Sequence, residues 1–263
     1  FTGHDAIAMV NGYCAVHEKW VSDFVYCIID RNLQIRANTA LINKVIPGLI
    51  PEFKIALANK YDPKHIDFEK DKWLVSRKLD GVRCVAICNS LREIKLYSRK
   101  GKEFKTLNKV KIELLKIMSP NTVLDGEICI LDENRNESFQ DIMKEIRRKD
   151  HTINNPTFLV FDMITKKEFD SGTSTRTLLE RNTSCFDFMH VQSLEQLPVE
   201  GFEHLQEISD KANKLGHEGI MIRKDCEYKG KRSNDILKIK KFHDAEYIII
   251  DLYFGEHRII ENG

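Results

Sequence analysis

The sequence predicts a mixed α+β fold of mostly antiparallel strands with flanking helices, and three observations support it. Short runs of β-branched and aromatic residues recur after Lys72, as is typical of strands. Stretches between these runs space apolar residues three and four positions apart, as amphipathic helices do. The 263 residues are 42% hydrophobic and 31% charged, which permits one large domain with smaller attachments at its ends.

The first part of the chain is predicted to be a small helical segment. Residues 15–58 are rich in helix formers, and Phe24 and Cys27 show amphipathic spacing. Pro47 and Pro51 act as helix breakers.

The remaining elements alternate between strands and helices. Strands are expected at 73–75, 84–87, 94–97, 122–124, 128–130, 158–161, 219–222 and 236–239. Helices are expected at about 107–118, 138–148, 177–189 and 205–215. A further β-rich run, Tyr247 to Phe254, predicts the start of a separate β module.

Composition limits the classes of protein that the chain can represent. Forty-one Lys and Arg against 40 Asp and Glu give a net charge of +1, so nucleic-acid binding would need a local basic surface. Seven cysteines without a C-x-x-C pair indicate reduced thiols rather than a zinc site. The apolar runs are far shorter than the roughly 20 residues of a membrane span, and no signal peptide opens the chain, so we expect a cytoplasmic protein without membrane contact.

The run Lys78-Leu79-Asp80-Gly81-Val82-Arg83 lies between two predicted strands. Gly81 could supply a tight turn that brings the Lys78 amine and the Arg83 guanidinium to the same opening of a site. A surface hairpin decorated with charge would show the same pattern. The run alone therefore only suggests a site.

Five further blocks follow this run in a fixed order: Ser98-Arg99, Leu124 to Glu127, Phe158 to Asp162, Glu218 to Arg223, and Leu237 to Lys240. Together the six blocks resemble motifs I, Ia, III, IIIa, IV and V of the covalent nucleotidyltransferases, the superfamily of ligases and capping enzymes, over roughly residues 72–245. The sequence from Tyr228 to Glu246 is similar to the ATP-dependent DNA ligase form of this region, and parts of residues 30–58 resemble the end of a ligase helical DNA-binding domain in a phage-like version.

The resemblance implies an ATP-grasp-like nucleotidyltransferase domain of antiparallel sheets with flanking helices, and it also implies three regions and a reaction. These are a partial helical DNA-binding segment at 1–58, the nucleotidyltransferase domain at 59–243 and the start of a truncated OB-fold at 244–263. Because the chain begins at Phe1 and stops soon after the last β-rich run begins, we expect a fragment. The implied protein is a monomeric ATP-dependent DNA ligase, and a phage-encoded enzyme in a bacterial host fits. It would use ATP and Mg²⁺ and seal nicked double-stranded DNA in replication, repair or recombination.

By this resemblance Lys78 is the catalytic residue that carries AMP. Transfer through an amine needs a neutral lysine, whereas the pKa of a free lysine side chain is about 10.4. Burial and neighbouring cations favour the neutral form, and Arg83, Lys238, Lys240 or a bound metal ion could act in this way. A solvated surface lysine is the alternative.

Lys238 and Lys240 alternate with Leu237 and Ile239, which places both ammonium groups on one face of a strand. Such a pair can bind a phosphate, although edge-strand lysines that discourage aggregation alternate in the same way. The resemblance assigns both to the α-phosphate of ATP.

Two acids and one aromatic ring complete the predicted pocket. Glu127 follows a glycine and Glu218 precedes one, so either carboxylate could hold Mg²⁺ or the ribose, although a single glutamate is more often a solvated acid. The resemblance assigns the ribose and a share of the metal to Glu127, and the metal chiefly to Glu218. Phe161 alone would be a core residue, and its place before Asp162 makes it the ring on which adenine stacks.

The remaining predicted nucleotide contacts are Ser76, Arg77, Arg83, Arg99 and Arg223. Arg99 lies in a polar turn suited to phosphate, and the resemblance assigns it to the nucleotide or the DNA 5′-phosphate. It places Arg223 on the phosphate side of ATP, where many relatives carry lysine. A basic stretch that follows could track a phosphate backbone or be a solvated loop: Lys224, Lys229, Lys231, Arg232 and Lys241.

Two alternatives to a DNA ligase remain open from the sequence. An RNA ligase or an mRNA-capping guanylyltransferase would share Lys78 and its neighbours. A non-catalytic DNA-binding fragment is the other, because the chain stops before the C-terminal motif VI of the family could appear. NAD-dependent ligation is disfavoured because the four-cysteine zinc module of that family has no counterpart here.

Overall fold

The computed structural model describes residues 3–30, 37–47, 49–50, 53–133, 135–182 and 184–240. The chain divides into two compact units, Phe1–Glu52 and Phe53–Gly263. The boundary precedes the predicted one at 58/59, because residues from Leu57 onward already form a strand of the second unit. The run predicted to open an OB-fold, 244–263, lies outside the described residues.

In its described part, the first unit contains three helices, α1 His4–Ala15, α2 Lys19–Ile29 and α3 Thr39–Val45. The Asn38 side chain caps α3 by accepting a hydrogen bond from the backbone N of Leu41 at 2.9 Å. Helix α2 contains the amphipathic positions predicted from the sequence, although Phe24 is 52% exposed and no residue of α1 or α2 is buried. A DNA-binding role for this unit stays a prediction.

The second unit is built on twelve strands and five helices in its described part. The strands are β1 Leu57–Lys60, β2 Trp73–Arg77, β3 Val82–Cys88, β4 Ile94–Ser98, β5 Thr122–Ile130, β6 Pro156–Thr165, β7 Thr173–Ser174, β8 Val191–Ser193, β9 Leu197–Val199, β10 Gly219–Lys224, β11 Tyr228–Lys229 and β12 Arg232–Lys240. The helices are α4 Asn108–Ile117, α5 Phe139–Ile146, α6 Lys166–Ser171, α7 Leu178–Arg181 and α8 Phe202–Lys214.

These strands form two five-stranded sheets and a short ribbon. The first sheet has the order β1-β12-β10-β2-β9, the second has the order β4-β3-β5-β6-β8, and β7 pairs with β11. All pairings are antiparallel except β1 with β12 and β6 with β8. The predicted mostly antiparallel α+β fold is therefore confirmed.

Strand β3 has consecutive apolar residues because both of its faces are buried. Cys84 and Ala86 belong to a core that includes Val110 of α4, whereas Val85 between them packs in a separate core with Phe169 of α6. Both faces of the strand are covered, so alternation with polar residues disappears. In the first sheet, α8 covers β10 on one face.

Several predicted elements have different extents. The runs predicted as strands at 122–124 and 128–130 form one strand, β5, with an irregularity of register at Asp125/Gly126. The helix predicted at 177–189 ends at Arg181. The next residue, Asn182, donates a hydrogen bond from its side chain to the carbonyl of Phe161 at 2.7 Å. No prediction covered β1, β7, β8, β9, β11 or α6.

Among the described ranges, no helix combines the length and the apolar content that crossing a bilayer requires.

Candidate active site

The connection between β2 and β3 places Lys78 at the mouth between the sheets. The backbone N of Lys78 donates to the carbonyl of Gly219 at 2.9 Å, which extends the pairing of β2 with β10 by one residue. Gly81 lies in a bend between β2 and β3 and has no positive φ. It is needed for close approach, because a Cβ there would lie 2.5 Å from the carbonyl oxygen of Ile128.

The Lys78 amine shares one carboxylate with a second lysine. Nζ of Lys78 forms an ion pair with Oε2 of Glu218, and Nζ of Lys240 pairs with Oε1 of the same group. Burial acts to raise the pKa of Glu218, but hydrogen bonds from Lys240 and Lys78 outweigh it, and the pKa lies below its usual value. Glu218 is therefore an ionised anchor between two cations.

The pKa of Glu127 is shifted in the opposite direction from that of Glu218, although both residues face the same opening. Burial raises the pKa of Glu127 to about 7, while Arg83 and Lys78 act in the opposite direction without compensating. Strand pairing sets Glu127 of β5 opposite Arg83 of β3. Near neutral pH, Glu218 is therefore ionised, whereas Glu127 is partly protonated.

The Arg83 guanidinium is held rigidly beneath the opening. Its Nε and Nη2 each lie 2.6 Å from a carboxylate oxygen of Asp125, and Nη2 also donates to the carbonyl of Ala56 at 3.2 Å. Such bidentate pairing fixes the plane of the guanidinium. Sequence patterns alone did not identify Asp125 as the partner.

Phe161 lies close to two guanidinium groups. Cζ of Arg83 and Cζ of Arg223 are each 4.6 Å from the centre of its ring, and the residue is 6% exposed. A base that stacks on this ring has to share it with these groups or displace them.

Arg223 and Ser76 form a buried pair across two neighbouring strands. Nη1 of Arg223 donates to Oγ of Ser76 at 2.8 Å. Burial, and after it the charge of Arg83, lowers the pKa of Arg223 to about 10. Ser76 is not among the residues that line the neighbouring cavity between the sheets, and its contact with a nucleotide stays a prediction.

A cavity of about 270 Å³ opens between the sheets at this point. Nine predicted site residues line it: Arg77, Lys78, Arg83, Arg99, Glu127, Phe161, Arg223, Lys238 and Lys240. Glu218 joins them through its ion pairs with Lys78 and Lys240. We call this the nucleotide cavity below.

Lys238 and Lys240 enter the cavity from one strand. They pair with Met221 and Gly219 of β10, two residues apart, as the predicted alternation requires. Partial burial lowers the pKa of Lys238, and the charges of Lys240 and Arg232 add to this effect. The concentration of positive charge suits a polyphosphate.

The basic stretch after Arg223 is only partly directed toward the cavity. Arg232 lines it, whereas Lys224 pairs with Asp71 at 2.6 Å and Lys229 pairs with Asp235 at 2.7 Å. Met221 and Leu194 also line the cavity and were not predicted. Met221 could have been found from its alternation with Arg223 in β10.

The acids available for a metal ion are few. Among the described residues, no group of three or more His, Cys, Asp or Glu side chains converges as a complete metal cage. Mg²⁺ commonly takes one or two carboxylates and completes its shell with substrate phosphates and water. Glu127 and Glu218, which interact electrostatically beside the cluster of cations, fit that requirement.

Two facing sheets that enclose a cavity lined by cations around one lysine have the fold and site of a nucleotidyltransferase domain. A family model described as "ATP dependent DNA ligase domain" matches residues 56–240, and the chain belongs to that family.

Individual relatives agree with this family. The chain is 28% identical to the DNA ligase of Enterobacteria phage T4 over 96% of its own length and 61% of that protein. It is 26% identical to the DNA ligase of African swine fever virus (strain Badajoz 1971 Vero-adapted) over 80% of its length and 51% of that protein. The chain therefore spans about three fifths of the phage relative.

Solved structures show the same fold. The structure named Pmar-Lig_PreS3 matches with a TM-score of 0.69 and 26% identity, covering 82% of this chain and 54% of that one. The ATP-dependent DNA ligase from bacteriophage T7 in complex with ATP matches with a TM-score of 0.57 and 17% identity, covering 72% of this chain and 68% of that one. The T7 match supports the fold alone.

Proposed function

We propose that this chain is the catalytic part of an ATP-dependent DNA ligase that uses Lys78 as its AMP carrier. The observation that carries the proposal is the position of Lys78, whose amine lies in the nucleotide cavity and pairs with Glu218. The family match over residues 56–240 supports ATP as the nucleotide.

In the proposed first step, the Lys78 ammonium gives a proton to solvent, and its nitrogen attacks the α-phosphorus of ATP. A nitrogen–phosphorus bond forms, the bond from the α-phosphorus to the bridging oxygen breaks, and pyrophosphate leaves with the electron pair while the nitrogen releases a second proton to solvent. Lys238, Lys240 and Arg223 stabilise the charge that develops on phosphate oxygens. Because Glu218 is shared by Lys78 and Lys240, a phosphate that binds Lys240 or a metal ion that binds Glu218 weakens the contact that restrains the Lys78 amine.

The next two steps consume the bound AMP. The 5′-phosphate at a nick attacks the phosphorus of the lysyl adenylate and releases Lys78, and the adjacent 3′-hydroxyl then displaces AMP to join the strands. Glu127 and Glu218 would hold Mg²⁺, which supplies charge neutralisation at phosphate oxygens when bound. Arg99 and Arg232, at the edge of the cavity, are the side chains that we assign to phosphates of the DNA.

The first prediction concerns the carrier lysine. Incubation with ATP labelled at the α-phosphate should leave label on the chain, and Lys78→Ala should abolish it because no nucleophile remains at that position. The matched control is Lys95→Ala, which removes an exposed lysine of β4 outside the cavity and should keep full labelling. Label that persists in Lys78→Ala would refute the assignment.

The second prediction concerns the polymer that is joined. Nicked duplex DNA with ATP should be sealed, whereas nicked RNA, or DNA supplied with GTP, should be sealed much more slowly. Faster sealing of RNA would indicate an RNA ligase, and labelling by GTP in preference to ATP would indicate a capping enzyme. Binding of nicked DNA without any labelling by ATP would indicate a non-catalytic DNA-binding fragment.

A further inference from the structure

A second cavity, of about 340 Å³, lies beside the nucleotide cavity. It is bounded by α8, by strands β2 and β9, and by residues 192–195, and we call it the α8 cavity. Arg77 and Leu194 line both cavities, so the two meet at these side chains. The volume is within the range of cavities that hold small ligands.

The floor of the α8 cavity is apolar. Its lining includes the buried Val75, Leu159 and Ile220, and the partly buried Ile208 and the exposed Leu197 and Leu215 extend the apolar surface. Such a surface suits a flat, weakly polar body, because its burial gains free energy from the hydrophobic effect without leaving strong polar groups unpaired.

The rim of the α8 cavity is cationic. Arg135 and Lys211 are exposed at the rim. Among the described residues, the partner to which the Arg135 guanidinium donates is neutral, the Oε1 of Gln192 at 2.6 Å. Within the described part of the chain, the side chains of Lys211 and His217 make no hydrogen bond or ion pair. Glu195 is the one acid among the lining residues, and Arg77 is already paired with Glu137 at 3.0 Å.

We propose that the α8 cavity binds one nucleoside monophosphate unit, with its base on the apolar floor and its phosphate against Arg135 and Lys211. The site is separate from the nucleotide cavity and contacts it at Arg77, the residue before Lys78. The nucleoside monophosphate unit can come from two sources, a free nucleotide or a nucleic-acid strand. The second source rests on the proposed ligase function, and the first does not.

The test uses AMP as the probe and measures its binding by equilibrium dialysis with the full chain. A Lys238→Ala/Lys240→Ala variant, weakened in the nucleotide cavity, should still bind about one AMP per chain at the α8 cavity. Adding Lys211→Ala and Arg135→Ala should weaken this remaining binding by about tenfold or more, because a charge-assisted hydrogen bond is lost at each position. Both side chains are exposed, so their removal leaves the core intact.

The matched control is Lys214→Ala on the same helix, an exposed lysine that does not line the cavity and whose loss should leave AMP binding unchanged. Loss of all AMP binding in Lys238→Ala/Lys240→Ala would mean that AMP binds in the nucleotide cavity and not in the α8 cavity, and it would overturn the proposal. Unchanged binding after removal of Lys211 and Arg135 would overturn it as well.

The source of the unit is decided by competition in the Lys238→Ala/Lys240→Ala variant. Displacement of AMP by a 5′-phosphorylated nicked duplex identifies a nucleotide of the strand as the occupant. Retention of AMP identifies a free nucleotide. Neither readout requires AMP transfer to Lys78, so a failure of the ligase proposal would be seen separately, as absence of label on the chain.

Discussion

At the scale of single residues, the nucleotide cavity contains a buried cation without a carboxylate of its own. Arg83 is neutralised by Asp125, whereas Arg223 contacts the hydroxyl of Ser76 and the ring of Phe161. Within the described residues, no acid forms an ion pair with Arg223. The nearby charges of Asp162, Asp125 and Glu127 only partly offset the burial of Arg223. An anion that enters the cavity therefore stabilises the folded domain as well as occupying its site.

Glu127 makes the stability of the domain depend on pH. Its folded pKa of about 7 lies above the value of 4.5 for a free side chain. The folded state therefore keeps this proton over a range in which the unfolded state releases it. The resulting stabilisation is fully present below about pH 4.5 and is lost as pH rises through about 7, by up to about 3 kcal/mol.

Glu127→Gln should remove this dependence, because an amide has no proton to lose. Denaturant unfolding at pH 5 and at pH 8 should show the variant gaining stability relative to the unmodified chain at the higher pH. A difference between the two proteins that stays constant with pH would show that Glu127 does not titrate in this window.

At the scale of elements, a buried ion pair fastens the short helix α7 to strand β6. Nε and Nη2 of Arg181 lie 2.8 and 3.0 Å from the carboxylate of Asp162, and Nη1 also donates to the carbonyls of Arg176 and Cys226. Arg181 is 4% exposed and Asp162 is 7% exposed. Because Asp162 directly follows Phe161, the pair also supports the strand beneath the nucleotide cavity.

Arg181→Ala should lower the free energy of unfolding by about 3–5 kcal/mol, since it leaves the Asp162 carboxylate buried without its partner. Denaturant titration measures this difference. Arg148→Ala, which breaks the more exposed pair with Glu145, is the control and should change stability by about 1 kcal/mol or less. Similar effects for the two variants would contradict the importance of burial.

At the scale of the whole molecule, charge is distributed unevenly although the net charge is only +1. Arg99, Arg232 and Lys238 line one opening between the sheets, and many acids are paired elsewhere. A local cationic surface of this kind binds a phosphate backbone by releasing counterions. We therefore expect binding of nicked DNA to depend strongly on salt.

The affinity for nicked duplex should fall as salt rises from about 50 to 200 mM, and Arg232→Ala should reduce the slope of log affinity against log salt by about 1. Lys111→Ala, on the exposed face of α4, should leave the slope unchanged. Equal slopes for Arg232→Ala and the unmodified chain would exclude Arg232 from contact with the DNA backbone.

The sequence by itself determined the strands with strong local patterns and most of the residues that line the nucleotide cavity. Alternation along β12 placed Lys238 and Lys240 on one face, and the strand pairing confirms this. The ordered blocks predicted that Lys78, Glu127 and Phe161 belong to one site, and all three line the cavity. The alternation of Lys238 and Lys240 depends on neighbouring residues, whose spacing sets the face on which each side chain lies. The grouping of Lys78, Glu127 and Phe161 was implied by the family resemblance of the blocks.

Only the tertiary structure decided which partners these side chains have. Glu218 binds Lys78 across 140 positions, and Ser76 accepts from Arg223 across 147 positions. The short strands β8 and β9 form because longer strands offer them an edge, and the need for glycine at Gly81 comes from the carbonyl of Ile128. Such contacts follow from the order and register of the strands, which local patterns do not specify.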